Sequence, residues 1–237
     1  MPEFKWGRQR VSFETHGRDV LLCDDPASAT NAAKALASAV GVRVISGSDD
    51  VRGRLRDGLG KADQALVERI MQTLRLDDDA FEWRLKDASP LRRLLAAAAA
   101  AVAQGERVLV VELASFTAMP FDLAHVFRHI NALHATFAIP VIVVIVDPAL
   151  ISSSGTHLAV LSTDGIVESA PVAEALADPQ SELLLRRLLA TPVPNPLAMQ
   201  QRRVQRAATT IVNYANTQIV QLPTADAIAL AGGDVTG

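Results

Sequence analysis

Short apolar runs alternate with longer amphipathic stretches along most of the chain. The runs at residues 20–23, 42–45, 108–112 and 141–146 are rich in valine, isoleucine and leucine and are too short for helices, so they predict β-strands. Because the runs at 108–112 and 141–146 contain almost no polar residues, we expect both to be parallel strands covered on both faces.

The stretches between these runs predict helices. Residues 29–40, 51–76 and 91–103 have helical periodicity or a high alanine content. Residues 121–137 place five apolar side chains on one face and join two predicted strands, which is the order of a β-α-β crossover. Thr163-Asp164-Gly165 predicts a hairpin between 157–161 and 166–168, and two short helices follow at 171–177 and 181–189. This order predicts an α/β fold.

A proline-rich segment marks the main division of the chain. Residues 191–196 read Thr-Pro-Val-Pro-Asn-Pro, which cannot continue a helix. We therefore predict one domain at 1–190 and a linker with a C-terminal helical extension at 191–237, in which residues 199–216 form a helix.

Composition argues against a nucleic-acid-binding, a membrane-spanning or a secreted protein. The chain has 237 residues and a net charge of −3, and its basic residues are dispersed, which argues against a nucleic-acid partner. Its apolar runs are shorter than a membrane span, and the N-terminus has no apolar segment typical of a signal peptide. We expect a cytoplasmic protein. Cys23 is the only cysteine and lies in an apolar run, which predicts a buried, unreactive thiol.

The order of the motifs resembles the ATP-binding domain of ABC transporters. The matching segments are Val11-Ser12-Phe13-Glu14, Gly17, the runs at 20–23 and 34–37, VLVVE at 108–112 and VIVVIVDPAL at 141–150. Residues 158–196 are the most specific, and they resemble the peptide and nickel importer branch. The resemblance implies a mostly parallel sheet flanked by helices, a P-loop NTPase-like fold with a reduced β subdomain.

The resemblance also shows a degenerate P-loop. An intact P-loop wraps phosphates with glycine amides, neutralises them with a lysine and holds magnesium with a hydroxyl. In this register the glycines are replaced by Cys23, Pro26 and Ser28, the lysine is replaced by Ala29, and Thr30 takes the magnesium position. The implied nucleotide-binding residues are Ser28, Thr30 and Asn31.

The other nucleotide motifs are reduced as well. Val111 replaces the aspartate of the second motif, while Glu112 remains at the position of the catalytic glutamate. Met119 replaces the aspartate that contacts the dimer partner, and Val146 replaces the switch histidine. Ser89 is the remnant of the signature loop that presses on ATP bound to a partner.

Two histidines and one carboxylate pair suggest other chemistry. His125 and His129 are spaced as metal ligands at i and i+4, but no third ligand accompanies them, so we expect an exposed helix face and no metal site. Glu112 and Asp147 each follow a strand and leave open an enzyme of new chemistry. Glu112 alone is also explained as a carboxylate at the end of a buried strand.

Similarity combined with motif loss predicts a pseudo-ATPase. The resemblance implies a homodimer, or a heterodimer with an ATPase-like subunit, and a membrane permease as a further partner at the inner face of the membrane. ATP with Mg²⁺ is the only cofactor that the resemblance suggests, and we do not expect the chain to require it. The alternative is a stand-alone homodimeric binding or structural module without ATP hydrolysis or transport.

Overall fold

The structure, a computed structural model, describes residues 3–6, 9–12, 15–47, 53–60, 62–114 and 120–190. The strands are β1 (Glu3–Trp6), β2 (Gln9–Ser12), β3 (Arg18–Cys23), β4 (Val44–Ile45), β5 (Leu109–Glu112), β6 (Val141–Ile145), β7 (His157–Ser162) and β8 (Gly165–Pro171). The helices are α1 (Pro26–Val40), α2 (Leu55–Leu59), α3 (Gln64–Leu74), α4 (Pro90–Ala103), α5 (Pro120–Phe137), α6 (Ile151–Ser154), α7 (Val172–Ala177) and α8 (Glu182–Ala190). The predicted linker and C-terminal helix lie outside the described residues, so the division at residue 190 stays a prediction.

Six strands form one mixed sheet in the order β4-β5-β6-β3-β7-β8. The first five are parallel, and β8 returns antiparallel to β7 as the predicted hairpin. The remaining two described strands, β1 and β2, form a separate antiparallel hairpin. The predicted α/β class, with a mostly parallel sheet flanked by helices, is confirmed.

Each central strand divides its side chains between two apolar layers. In β3, Val20 and Leu22 pack into the layer formed with α3, α4 and α5, while Leu21 and Cys23 pack into the layer formed with α1. The same alternation continues along β5, β6 and β7. Because both faces are covered, the strands are apolar at nearly every position, which is why the sequence revealed them.

The alanine-rich helix α4 lies in a tightly packed layer. Its residues Ala98, Ala99 and Ala101 have no exposed surface, and it packs against α2, α3 and α5 while touching the sheet at β4. Small side chains allow the axes of neighbouring helices to approach closely, so this helix fills a crowded interior. None of the helices in the described ranges is both long enough and apolar enough to cross a membrane.

Two helical boundaries differ from the sequence prediction. The predicted helix at 51–76 is split into α2 and α3, because α2 ends at Gly60 with φ +58° and ψ −126° and Asp63 starts the next helix by accepting from the Leu66 amide. Helix α1 begins at Pro26, almost one turn before the predicted start at Ala29. That earlier start determines the geometry of the site.

Candidate functional site

The connection between β3 and α1 consists of two residues. Strand β3 ends at Cys23, Asp24 and Asp25 follow, and α1 starts at Pro26. Asp25 is the N-cap: its backbone is extended, and its carboxylate accepts from the Ser28 amide at 2.9 Å and from the Ser28 hydroxyl at 2.6 Å. Aspartate before proline is a favoured way to start a helix, so the local sequence dictates this short turn.

The cap places a negative charge at the positive end of α1. The hydroxyl and the amide of Ser28, in that order, are the main causes that lower the pKa of the Asp25 carboxyl below its ordinary value. Unpaired amides at a helix N-terminus are what normally attract a phosphate. At the start of α1 the Asp25 carboxylate already accepts from the Ser28 amide and hydroxyl, which are donors of the first turn.

Four of the positions that the resemblance assigns to the P-loop stretch, at residues 28–31, are therefore parts of helix α1. Ser28 lies in the first turn of α1 and is bonded to Asp25, and Ala29 has no exposed surface. Thr30 is half-buried on the same helix, and Asn31 is exposed. The structure brings Ser28 and Asn31 to one cavity of about 490 Å³, but it shows no extended loop between strand and helix.

A second cavity of about 480 Å³ lies beside the first. Trp6 and Ser28 line both cavities, and Asp24, Asp25 and Arg186 line the second. The Trp6 indole N–H donates to the Ser162 carbonyl oxygen at 2.7 Å, which holds the β1–β2 hairpin against β7. The two cavities, which meet at Trp6 and Ser28, together form a trough across the start of α1.

An ion pair connects this turn to the last described helix. A guanidinium nitrogen of Arg187 lies 3.0 Å from Asp24 Oδ1, and one of Arg186 lies 3.9 Å from the same oxygen. Asp24 is 54% exposed, so solvent screens the pair and its contribution to stability is small.

Cys23 is the buried, unreactive thiol that the sequence predicted. It has no exposed surface, and burial, together with the charges of Asp25 and Glu112, raises the pKa of its thiol to about 12. A thiol with so high a pKa carries almost no thiolate at neutral pH. This environment therefore makes Cys23 a poor nucleophile in the folded chain.

The carboxylates after β5 and β6 occupy different environments. Glu112 ends β5 opposite Val144 of β6 and is 3% exposed. Asp147 is exposed, and its carboxylate accepts from the Ala149 amide at 2.9 Å to cap a short 3₁₀ turn. Met119 lies outside the described residues.

Ser89 caps a helix, as its position before Pro90 suggests. Its hydroxyl oxygen accepts from the Arg92 amide at 3.3 Å at the start of α4. Helices α4 and α1 pack on opposite faces of the sheet, so Ser89 is not part of the trough. The buried Arg93 beside it donates to the carbonyl oxygens of Gly47 and Ala88.

Solved structures share this arrangement of strands and helices. A nucleotide-free ATP-binding cassette from an ABC transporter matches with a TM-score of 0.56 and 12% identity, over 77% of this chain and 95% of that one. CbiO1 from Clostridium perfringens, part of the ABC transporter complex CbiONQ, matches with a TM-score of 0.60 and 8% identity, over 84% of this chain and 96% of that one. The chain has the fold of an ATP-binding cassette. No protein-family model and no curated protein sequence matches it.

A polar cluster that the sequence did not reveal lies at the opposite end of the sheet from the trough. Asp19 is 1% exposed, and both of its carboxylate oxygens accept from the His16 amide at 3.0 Å. The His16 ring stacks on His157 with 3.8 Å between centroids. Burial is the main cause that raises the pKa of Asp19 to about 6. His16 precedes β3 and His157 begins β7, so only the parallel pairing of these strands brings the rings together.

The histidines of α5 differ from their prediction. His125 and His129 are half-buried rather than exposed, and burial is the first cause that lowers the pKa of His129. Within the described part of the chain, no three histidine, cysteine or acidic side chains are grouped as metal ligands.

Proposed function

We propose that this chain is a pseudo-ATPase with a cassette fold, and that it scaffolds or regulates an assembly by pairing with an intact or identical cassette. Its assembly is a transporter of the peptide or nickel type, with a membrane permease as a further partner at the inner face of the membrane. Two kinds of observation support this: the fold, and the geometry at the start of α1.

The self-capped start of α1 is the observation that carries the proposal. Phosphate binding at a helix N-terminus needs free amides and a nearby cation. Here the Ser28 amide and hydroxyl both donate to Asp25, and the lysine position is the fully buried Ala29. A triphosphate would face the Asp25 and Asp24 carboxylates instead of an ammonium group.

The assembly role rests on the structural neighbours and on the sequence resemblance. CbiO1 is described as part of a transporter complex, and the other neighbour is a cassette from an ABC transporter. Residues 158–196 resemble the importer branch in sequence. At 12% and 8% sequence identity, the structural neighbours support only the shared fold. The partner is therefore part of the proposal.

The site residues keep assigned roles within this proposal. Ser28, Thr30 and Asn31 mark the former nucleotide site, and Ser89 marks the surface that would face a partner cassette. Glu112 is the carboxylate that would activate the attacking water in any residual hydrolysis. It ends β5, and Asp24 follows β3, so both lie at the carboxyl ends of parallel strands of one sheet. Glu112→Gln should abolish such hydrolysis without unfolding the chain.

ATP binding by the purified chain, followed by calorimetry with and without magnesium, tests the proposal. We expect no binding at millimolar ATP. The informative variant is Asp25→Asn, because asparagine caps a helix as well as aspartate does but carries no charge. We expect this variant to remain without ATP binding, since no cation replaces Ala29. Micromolar binding by the unsubstituted chain would contradict the pseudo-ATPase proposal.

Exposed apolar side chains favour a second candidate, the stand-alone homodimeric module. Val167 is 46% exposed, Leu185 is 45% exposed and Leu189 is 78% exposed. Purification from cells at native expression separates the two candidates. Recovery with a permease or an intact cassette supports the transporter subunit, whereas a homodimer recovered with neither supports the module.

A further inference from the structure

The trough across the start of α1 combines features of a small-ligand site. The cavity of the trough that Asp24, Asp25 and Arg186 line has a volume of about 480 Å³, which lies in the range of small-molecule sites. Leu161, Val167 and Leu183 provide apolar walls, and Trp6 provides an aromatic one. The question is which chemistry this lining recognises.

Most hydrogen-bond donors around the cavity are already used. The Trp6 indole N–H donates to the Ser162 carbonyl, so what Trp6 can offer a ligand is its ring. The amide and hydroxyl of Ser28 donate to Asp25, and those of Ser181 donate to Glu168. Apart from the Arg186 guanidinium and the Thr163 hydroxyl, the side chains of the lining therefore offer few donors to an anionic ligand.

Acceptors and negative charge remain available. Asp24, Asp25 and Glu182 line the cavity against the single guanidinium of Arg186. Arg187 pairs with Asp24 from outside the lining, and within the described residues neither Asp25 nor Glu182 forms a salt bridge of its own. The bonds from Ser28, and to a smaller extent the charge of Arg187, lower the pKa of Asp25 and keep it ionised. Arg186 itself lies 3.9 Å from Asp24, so a guanidinium is already drawn to this turn.

We propose that this trough binds an alkylguanidinium group, seated between the Trp6 ring and the carboxylates of Asp25 and Glu182. A guanidinium has five donors and no acceptor, matches carboxylates with two parallel bonds and stacks on aromatic rings. The apolar walls accommodate the alkyl chain that carries it. The group is supplied either by a free small molecule or by an arginine side chain of a peptide.

This inference rests on the proposed function, because a chain that bound ATP at α1 would fill the same trough with phosphate. The probe is the fluorescence of Trp6 in a Trp83→Phe background, which removes the other tryptophan. The ligands are agmatine, the blocked tripeptide Gly-Arg-Gly, the matching citrulline tripeptide and ATP. The citrulline peptide preserves shape but carries no charge.

We expect agmatine or the arginine tripeptide to change Trp6 emission saturably, the citrulline peptide to have no effect, and high salt to weaken binding. Tighter binding of agmatine identifies a free ligand, and tighter binding of the tripeptide identifies a partner's arginine. The double variant Asp25→Asn/Glu182→Gln should weaken binding by about tenfold, since it removes both carboxylates that pair with the guanidinium while solvent screening keeps each exposed pair weak. Glu174→Gln, an exposed carboxylate of α7 outside the cavity lining, should leave binding unchanged.

Three results would overturn the inference. No saturable change with either guanidinium at 10 mM, together with no response to ATP, rejects the guanidinium site and leaves the pseudo-ATPase proposal standing. A response to ATP without a response to guanidinium rejects both. Equal binding of the arginine and citrulline peptides also rejects the guanidinium site, because it shows that charge is not recognised.

Discussion

The buried carboxylate of Glu168 provides the sharpest test of how the C-terminal part of the described domain is held. Glu168 lies in β8 and is 7% exposed. One carboxylate oxygen accepts from the Gln180 amide at 3.2 Å, and the other accepts from the amide and hydroxyl of Ser181 at 2.9 and 2.6 Å. These bonds fix the turn that starts α8, the helix that carries Arg187 and Glu182.

The cost of two substitutions follows from these bonds. In Glu168→Gln the side-chain oxygen can keep the two bonds to Ser181, but its amide group then faces the Gln180 N–H, so one charge-assisted bond is lost. Such a bond contributes about 1.5–3 kcal/mol, and we expect the free energy of unfolding to fall by about 2 kcal/mol. In Glu168→Ala two backbone N–H groups lose their partner at about 1–3 kcal/mol each, so we expect a fall of about 4 kcal/mol.

Urea unfolding followed by circular dichroism measures these differences through the transition midpoints. Glu174→Gln is the matched control, because it removes the same charge from an exposed position on the adjacent helix α7, and we expect a change within about 0.5 kcal/mol. If Glu168→Gln and Glu174→Gln were equally stable, the carboxylate of Glu168 would not be holding the turn, and the reasoning would be refuted.

Three further predictions concern the packed interior and its titratable groups. Gly155→Ala should lower the free energy of unfolding by about 2–3 kcal/mol, because a Cβ would lie 2.7 Å from the Arg18 carbonyl oxygen and 2.8 Å from a Val20 methyl group. A loss below about 0.5 kcal/mol, measured by urea unfolding, would contradict this close approach. The free energy of unfolding should fall as pH rises from about 4 to about 6. In this range Asp19 keeps its proton in the folded chain, where its pKa is about 6, and releases it in the unfolded chain, where its pKa is 3.8. Asp19→Asn should make the free energy of unfolding less dependent on pH, and the change that it removes between pH 4 and pH 6 should not exceed about 3 kcal/mol. An unchanged pH dependence would assign it to other groups. Cys23 should resist Ellman's reagent at pH 8 in the folded chain and react in urea, whereas rapid stoichiometric labelling of the folded chain would show that the thiol is accessible.

The sequence predicted the central sheet well because its strands are buried on both faces. The runs that became β3, β5 and β6 contain almost no polar residues, and this composition is a local signal. The β1–β2 hairpin was not predicted, since its first strand alternates apolar with charged residues over only four positions, and of its described side chains Phe4 is buried, Trp6 is half-buried and Lys5 is exposed. Short, half-exposed strands carry little hydrophobic signal.

The geometry of the candidate site could not be predicted from the sequence, and the nucleotide roles of Ser28, Thr30 and Asn31 stay predictions. The resemblance treats residues 23–31 as a loop, and the alanine content predicts a helix that starts only at Ala29. The local signal for the earlier start was present, because aspartate before proline favours an N-cap followed by the first helical position. The cluster of His16, Asp19 and His157 had no such signal, since it forms only when β7 pairs with β3.

The early start of α1 also explains why introducing a lysine at residue 29 would not create a phosphate site. Ala29 is fully buried against the sheet, so a lysine there would have to place its ammonium in the apolar layer formed with Leu21 and Ile142, at a cost of several kcal/mol. An intact P-loop keeps that lysine at the surface by inserting glycine-rich loop between strand and helix, and here the chain has only Asp24 and Asp25 in that place. In the register that the resemblance implies, a lysine at residue 29 has no room at the surface, because the Asp25 cap occupies the helix N-terminus at which a phosphate would bind. A phosphate site at α1 would therefore need a longer turn, removal of the Asp25 carboxylate and an added cation together.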